Sequence, residues 1–391
     1  MKHVHIYWRI FKREIGIISH DRNLISILLI APIFYALFYG SIYINKTESD
    51  VPIVITDMDH SSTSKKIIRM LDAHQLISVR TVSGDLNFAK DELFQGESQA
   101  ILFIPDKFEA ELKSGKGSDL KLYLNTTRFL NSNDINKAVN EVIGTIGIGI
   151  RLKYYESQGY SFDQAKELVE PLRLDMRPMF NFTESYGDFL IPAIFILILH
   201  QTLLIGLSES IAKEREQNSL HNLFIVSEYS ELKALIGKCL FYAILFSSYS
   251  VLFFGLFFSV FKINLLGNVF ALSAATLLMI FSVITLSIFI SSFFKRKIFA
   301  TQFLTLSSYP VFLLSGYSWP MQAMPVFLKY MAALIPFTPY SNIMIRITQM
   351  GAGWTNIIPS LFHLLILGIV YLTAAYFRMD YLFRKTLIKN K

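Results

Sequence analysis

Six stretches of this chain run for about the width of a bilayer, or longer, without one Asp, Glu, Lys or Arg. They are Leu24–Ile44, Phe189–Leu207, Cys239–Phe261, Leu265–Phe294, Ile298–Phe327 and Ile347–Phe377. Lipid offers no partner to a backbone N–H or C=O, so such segments must satisfy their own polar groups as helices. One helix per stretch predicts an α-helical integral membrane protein of six transmembrane helices. Composition agrees, since only 17% of the residues are charged, where a soluble domain carries roughly a quarter. The first run lacks a small-residue cleavage site before "NKTESD" and is followed by further spans, so it reads as a span and not a cleaved leader.

Basic residues in the short connections set the orientation. Sixteen fall on one side: five in the N-terminal segment, three around Lys213–Lys233, the "KRK" of Lys295–Lys297, and five in the tail. Three (Lys262, Lys329 and Arg346) fall on the other. Both termini, 208–234 and 295–297 are therefore expected in the cytoplasm. The net charge of +7 resolves into −4 over residues 45–186 and +11 elsewhere. That asymmetry fits loops beside anionic headgroups and gives no ground for nucleic acid binding.

The one long hydrophilic insert, 45–186, is then extracytoplasmic, between spans 1 and 2. It alternates strand and helix: "VPIVITD", "LISVRTV", "AILFIP" and "LKLYLN" as strands, with helices between them. A long helix is predicted from about Asp134 to Gln158, apolar at Ile135, Val139, Val142, Ile146 and Ile150. Short apolar strands alternating with helices predict a compact α/β domain. The chain thus divides into 1–44, with span 1; 45–186, the α/β domain; and 187–391, with spans 2–6.

Few residues suggest chemistry. Asp57-x-Asp59-His60 has the composition of a metal or sugar-nucleotide site, yet the same residues serve to end a strand and cap the next helix. His200 and His363 lie inside predicted spans, where a neutral imidazole hydrogen-bonded between helices is the structural expectation and a functional group the other. Asp188 and Glu209 sit at the ends of span 2, near water, and call for no special role. The single cysteine, Cys239, excludes an intrachain disulfide. No G-x-x-x-x-G-K-[ST] is present to cradle nucleotide phosphates, and H-E-x-x-H and G-x-S-x-G are missing.

One span, a large external insert, then five spans with a polar segment after the second resembles the ABC-2 type permease subunits of bacterial ABC exporters. The resemblance covers the whole chain. It is carried by "WRIFKREIGIISHDRNLISILLIAPIFYALFYG", "PIVITDMDHSSTSKKIIRML", "KEREQNSLHNLFIVSEYSELKALIGK" and "SGYSWPMQAMPVFLKYMAALIPFTPY". Asn218–Ser219 stand where the family usually has Gly-Thr, and Ser227 stands where a proline is common.

The resemblance implies a transport subunit, not an enzyme. It would move an amphiphilic, drug-like or lipid-like substrate out of the cytoplasm or inner leaflet. No cofactor would be bound by this chain, and ATP would be hydrolysed on a separate cytoplasmic ABC ATPase. A second permease, identical or homologous, would complete the path, in a bacterial inner membrane; a periplasmic adaptor is open as a further partner. The alternatives are a membrane-anchored sensor or assembly protein, and a membrane enzyme using Asp57 and Asp59.

By the same resemblance, the polar segment 208–234 is the element that docks on the ATPase. Placed on a helix, Leu220, Leu223 and Phe224 form an apolar edge, with Leu223 and Phe224 as the expected anchors. Glu214 and Glu216 are expected near that helix's N-terminus, where negative charge is favoured. After span 5, Gly316, Pro320, Pro325 and Pro336 would shape the outer mouth. The prolines exclude one continuous helix there, and Val326, Phe327, Tyr330 and Leu334 predict a short interfacial helix.

Overall fold

Two sets of buried apolar residues, with no member in common, divide the chain. The computed structural model describes residues 2–389 apart from Thr47, Arg173, Asp175 and Thr183. Thr47–Arg177 forms one compact unit, while Met1–Lys46 and Pro178–Lys391 together form the other. The α/β unit is thus slightly shorter at both ends than the expected 45–186.

In the α/β unit, β1 (Val51–Asp57), β2 (Ile77–Ser83), β3 (Ala100–Ile104) and β4 (Lys121–Leu124) make one sheet of order β2-β1-β3-β4. β1 pairs parallel with both β2 and β3, and β4 pairs antiparallel with β3. β1 lies in the middle and is buried along nearly its whole length, which explains why "VPIVITD" is continuously apolar and not alternating. Helix Ser62–Asp72 and the long helix Phe129–Ser157 cover one face through Ile67, Leu71, Ile135, Val139 and Val142. Helix Leu86–Phe94 covers the other through Ala89, against Val54 and Ile101. The long helix starts five residues before the expected Asp134, and a further short helix, Phe162–Val169, closed by a Ser161–Gln164 capping box, had no counterpart in the sequence reading.

The second unit is helical. For reference its helices are α1 (Lys2–Ser19), α2 (Arg22–Ile42), α3 (Tyr186–Glu216), α4 (Leu220–Val226), α5 (Glu231–Val260), α6 (Val269–Ser291), α7 (Lys297–Leu314), α8 (Val326–Ala333), α9 (Phe337–Met344) and α10 (Trp354–Lys389). α3 is the axis: nearly all its side chains are buried, and α2, α6 and α7 pack around it.

Among the described residues, five helices are long and apolar enough to cross a membrane: α2, α3, α5, α6 and α10. The difference from the expected six lies at 298–327. There the helix α7 has 18 residues, about 27 Å at 1.5 Å per residue, slightly short of a ~30 Å hydrocarbon core. The chain leaves it at Gly316, whose backbone is left-handed (φ 82°) and where an added Cβ would run into the Met321 side chain. Beyond it the chain breaks as the prolines require. α8 follows Pro325, and Pro336 stands at the N-terminus of α9, with Leu334–Ile335 between the two helices. Val326, Phe327 and Tyr330 of α8, with Leu334 just past its end, are all more than half exposed and form an uncovered apolar face.

Because the α/β unit has its own core, residues 47–177 expressed alone should unfold in a single cooperative transition by circular dichroism. Leu71→Ala, which empties a fully buried position, should destabilise it by about 2–5 kcal/mol.

Candidate functional site

The stretch "KEREQNSLHNLF" does not begin a helix. Lys213–Glu216 is the last turn of α3, Gln217–Ser219 turns the chain, and α4 starts only at Leu220. Asn218 makes the turn with left-handed backbone (φ 53°), a conformation Asn tolerates better than most residues after Gly. Glu214 and Glu216 therefore sit at a helix C-terminus, where the backbone dipole disfavours negative charge. Both are held by cations or N–H donors from elsewhere in the chain.

Glu214 is buried at 1% exposure, in ion pairs with Arg13 of α1 and with Lys238 of α5, the latter at 3.1 Å. Lys238 is equally enclosed. Its ammonium donates to both oxygens of Glu14 (2.8 and 2.7 Å) and to Ser210 Oγ (2.8 Å). Glu14 also accepts from Ser210 Oγ at 2.6 Å and from Tyr242 OH at 2.7 Å. Two cations and two anions make the cluster neutral, the condition for burying charge without a net field. Burial works to raise the Glu14 pKa, but the charge and hydrogen bonds of Lys238, together with the hydrogen bonds from Ser210 and Tyr242, outweigh it and hold the carboxyl below its ordinary value.

The local sequence explains how α1 delivers Glu14. Ile6, Ile10, Glu14 and Ile18 recur every fourth residue and are all buried, a helix stripe in which one position is a carboxylate. α5 approaches closely because position 237 is glycine. A Cβ there would lie 2.7 Å from Ile10 Cδ1 and 2.9 Å from Ile10 Cβ. On the outer side of α1, Trp8 stacks on Phe11 under Lys12, the pattern of a helix lying at a membrane surface.

A second cluster fixes the other side of α3. Asp21 Oδ2 meets Lys213 Nζ at 2.9 Å and Lys297 Nζ at 2.7 Å, while Oδ1 accepts from Asn23 N and Leu24 N to cap α2. Burial would raise the Asp21 pKa, yet the hydrogen bonds and charges of Lys213 and Lys297 hold it well below the usual carboxylate range. Glu209, expected near water, is fully buried and accepts from Asn23 Nδ2 (2.7 Å to each oxygen) and Thr301 Oγ1 (2.6 Å). Glu216 Oε2 accepts from Lys297 N at the start of α7 (2.9 Å). Arg215 donates to the carbonyls of Ser292 and Phe294 (2.5 and 2.6 Å), where α6 ends.

α4 is turned opposite to the sequence expectation. Leu220, Leu223 and Phe224 face the protein's own interior at 3%, 1% and 5% exposure. Phe224 stacks on Phe383 of α10 at 5.0 Å and meets Tyr229 edge-on at 5.3 Å. The expected anchors are therefore core residues, since an apolar edge on so short a helix is satisfied by its own chain first. The exposed side is Asn222 and Ile225, continued past the end of the helix by Glu228 and Tyr229.

The remaining candidates are structural. Asp57 is buried and accepts from Asp59 N, His60 N and Ser64 Oγ. Asp59 accepts from Glu109 N, and Ser61 caps the following helix. These carboxylates are occupied by their own loops. His363 Nε2 donates to the Ala333 carbonyl at 2.7 Å, between α10 and α8. His200 departs from expectation: it is wholly buried on α3, rests edge-on against Phe337, and neither ring nitrogen has a hydrogen-bond partner among the described residues. Asp188 pairs with Lys46 at 2.7 Å.

Lys238→Met should leave two buried carboxylates facing Arg13 alone and destabilise the protein by about 3–5 kcal/mol. Adding Glu14→Leu, which restores neutrality, should recover most of that loss, read as melting temperature in detergent. The pH response has a defined sign. Glu14 and Asp21 have depressed folded pKa values, so their contribution is complete above the unfolded values near 4 and is lost as pH falls through the folded ones. Melting temperature should stay level from about pH 7 to about pH 5 and decline only well below pH ~4.

Compared with known proteins, the chain matches a family model described as ABC-2 family transporter protein over residues 22–377. It is 19% identical to the inner membrane transport permease YhhJ of Escherichia coli (strain K12) over 392 aligned residues, covering 99% of each chain. To the probable multidrug ABC transporter permease YbhR of the same organism it is 21% identical, over 95% of this chain and 97% of the relative.

Proposed function

The chain belongs to the ABC-2 family of transporters, and from that premise we propose that it is the membrane subunit of an ATP-driven exporter whose ATPase docks on α4. Membership makes it a transmembrane transport subunit, of a family that associates with an ABC ATPase and often dimerises. The finer reading is ours. Export is of an amphiphilic substrate, a class in keeping with the name of the relative YbhR. The membrane is a bacterial inner membrane, as in the name of the relative YhhJ. Both termini and 208–234 face the cytoplasm, the α/β unit faces outward, α7 completes six spans, and this chain binds no cofactor. A second permease lies beside it, and Gly316, Pro320, Pro325 and Pro336 shape the outer mouth.

The observation that carries the proposal is the pair of ionic clusters. A segment that receives force from an ATPase must not yield on its own. Residues 209–216 are tied to α1, α2, α5, α6 and α7 by charged side chains, fully buried at Glu209 and Glu214 and half-buried at Arg215, so displacement of α4 is passed to several membrane helices together. Docking then uses the exposed side of α4, with Ile225 and Tyr229 as its apolar contacts and Asn222 and Glu228 beside them.

Co-purification with the ATPase tests this. Truncating a central contact typically costs about 2 kcal/mol, near thirtyfold in affinity. Ile225→Ala with Tyr229→Ala should lose at least that much ATPase binding, along with transport, with a smaller drop in melting temperature than Phe224→Ala, since Tyr229 also meets Phe224 edge-on. Phe224→Ala should instead lower the melting temperature first, by the cavity cost of about 3–5 kcal/mol. Full ATPase binding by the Ile225/Tyr229 variant would remove α4's outer side from the mechanism.

A further inference from the structure

Between α5, α6 and α10 runs a groove of about 740 Å³, within the ~300–1,000 Å³ range of small-molecule sites. Its walls hold no charged residue. Leu235, Cys239 and Ala243 line the α5 side, Ile284 and Ile288 the α6 side, and Tyr376 belongs to the α10 side. The threonine hydroxyls in it are already used: Thr285 Oγ1 donates to Ser282 O and Thr373 Oγ1 to Ile369 O, each at 2.9 Å on its own helix. The Ser247 and Tyr376 hydroxyls are the other polar side-chain groups of a lining that is otherwise apolar, so an occupant finds mainly dispersion contacts there, which favours a hydrocarbon chain over a polar drug.

Its depth and its two ends narrow the choice. Along α6 the lining runs from Ile288 to Leu277, about 16 Å at 1.5 Å per residue. That is close to half of a ~30 Å hydrocarbon core, one leaflet. Phe281 narrows the groove one turn before its Leu277 end, its ring lying against α10 at Gly368, where a Cβ would come 2.6 Å from Phe281 Cε1. The open end is charged. Beside Leu232, at the start of α5, Lys233 pairs with Glu228 at 3.2 Å, and on α10 Arg384 pairs with Asp380 at 2.8 Å. An apolar slot about half a hydrocarbon core long, with charged pairs just beyond its open end, matches one chain of a bilayer lipid.

We propose that this groove is a lipid site, holding one acyl chain of a phospholipid from the leaflet on the α4 side, with the headgroup at the Lys233–Glu228 and Arg384–Asp380 rim. The site rests on the protein being embedded in a membrane and not on ATPase docking or transport direction. A resident lipid there lies between α5 and the α6–α10 pair near α4, so its occupancy bears on the spacing of α5 and α6, both of which the ionic clusters tie to α3.

The test uses the full chain in phosphatidylethanolamine–phosphatidylcholine nanodiscs doped with a phospholipid carrying a diazirine on its acyl chain. After irradiation, adducts are mapped by peptide mass spectrometry. Groove residues should carry about tenfold more adduct than exposed positions on other faces, a preference of roughly 1.4 kcal/mol. Ala243→Phe, which fills the groove, should bring that down to the level of the other faces. Ile366→Phe, on an exposed face of α10 outside the groove, should change nothing. Adducts spread evenly over all lipid-facing positions would overturn the proposal. So would efficient oxidative cross-linking of two copies through Cys239, the sole cysteine and a groove residue, because a second copy would then cover the slot. Neither measurement needs ATP or the ATPase, so failure here leaves the permease reading standing, and loss of ATPase binding leaves the lipid site standing.

Discussion

An ammonium group buried between two carboxylates governs the architecture of the helical unit. Lys238 at 2% exposure, between Glu14 and Glu214 at 0% and 1%, is tolerable only while all three, with Arg13, stay together. Desolvating any one of them alone would cost several kcal/mol. The ions therefore specify more than they stabilise. They require α1, the end of α3 and the first turns of α5 to meet in one register, and no sliding of one helix past another preserves the contacts. Gly237 makes the meeting close enough, and the Ile6–Ile10–Ile18 stripe supplies the apolar packing on either side of the charge.

Much of the chain was legible in its sequence because its signals are local. Five of the six continuous apolar runs located helices long enough to cross a membrane, the run 298–327 being the exception. The alternation of short strands with helices located the sheet, with β1 matching "VPIVITD" residue for residue. Proline positions foretold the break at Pro336. What could not be read was pairing across distance. Glu14 and Lys238 are separated by 224 positions, and nothing in either neighbourhood names the other. Each did leave a trace. Glu14 interrupts an i, i+4 apolar stripe at its buried position, and Lys238 stands on α5 one residue before the uncharged run. A charged residue on the wrong side of an amphipathic pattern is the signal that would have found the cluster, and Glu209 gave a weaker form of it.

The orientation of α4 shows how an amphipathic pattern misleads on a short helix. Leu220, Leu223 and Phe224 form an apolar edge, and an edge can serve a partner or the chain's own core. The pattern is identical in both cases. What decides is whether an intramolecular surface is within reach, and here Phe383, 159 residues away in sequence, supplies it at ring-stacking distance. The glutamates followed the same misreading: taken as the start of a helix they would be favoured by its dipole, but as the end of α3 they need the cations the structure provides.

The two faces of α4 have consequences for how motion passes through the protein. On the reading proposed above, load enters at Ile225 and Tyr229 and leaves by two routes. Through the Phe224–Phe383 stack it reaches α10; through Ser219, whose carbonyl accepts from Arg13 at 3.3 Å, it reaches α1 and the Glu14–Lys238 cluster. The stack is apolar and non-directional, so it transmits compression and permits sliding. The ionic route is directional and resists sliding. A displacement of α4 toward the core would thus be shared by α1, α5 and α10, while one along its own axis would be opposed mainly at Arg13. That difference makes a push toward the membrane the movement this arrangement passes on most completely, and α5, carried by Lys238 and bordered by the apolar groove on its far side, a helix placed to move with it.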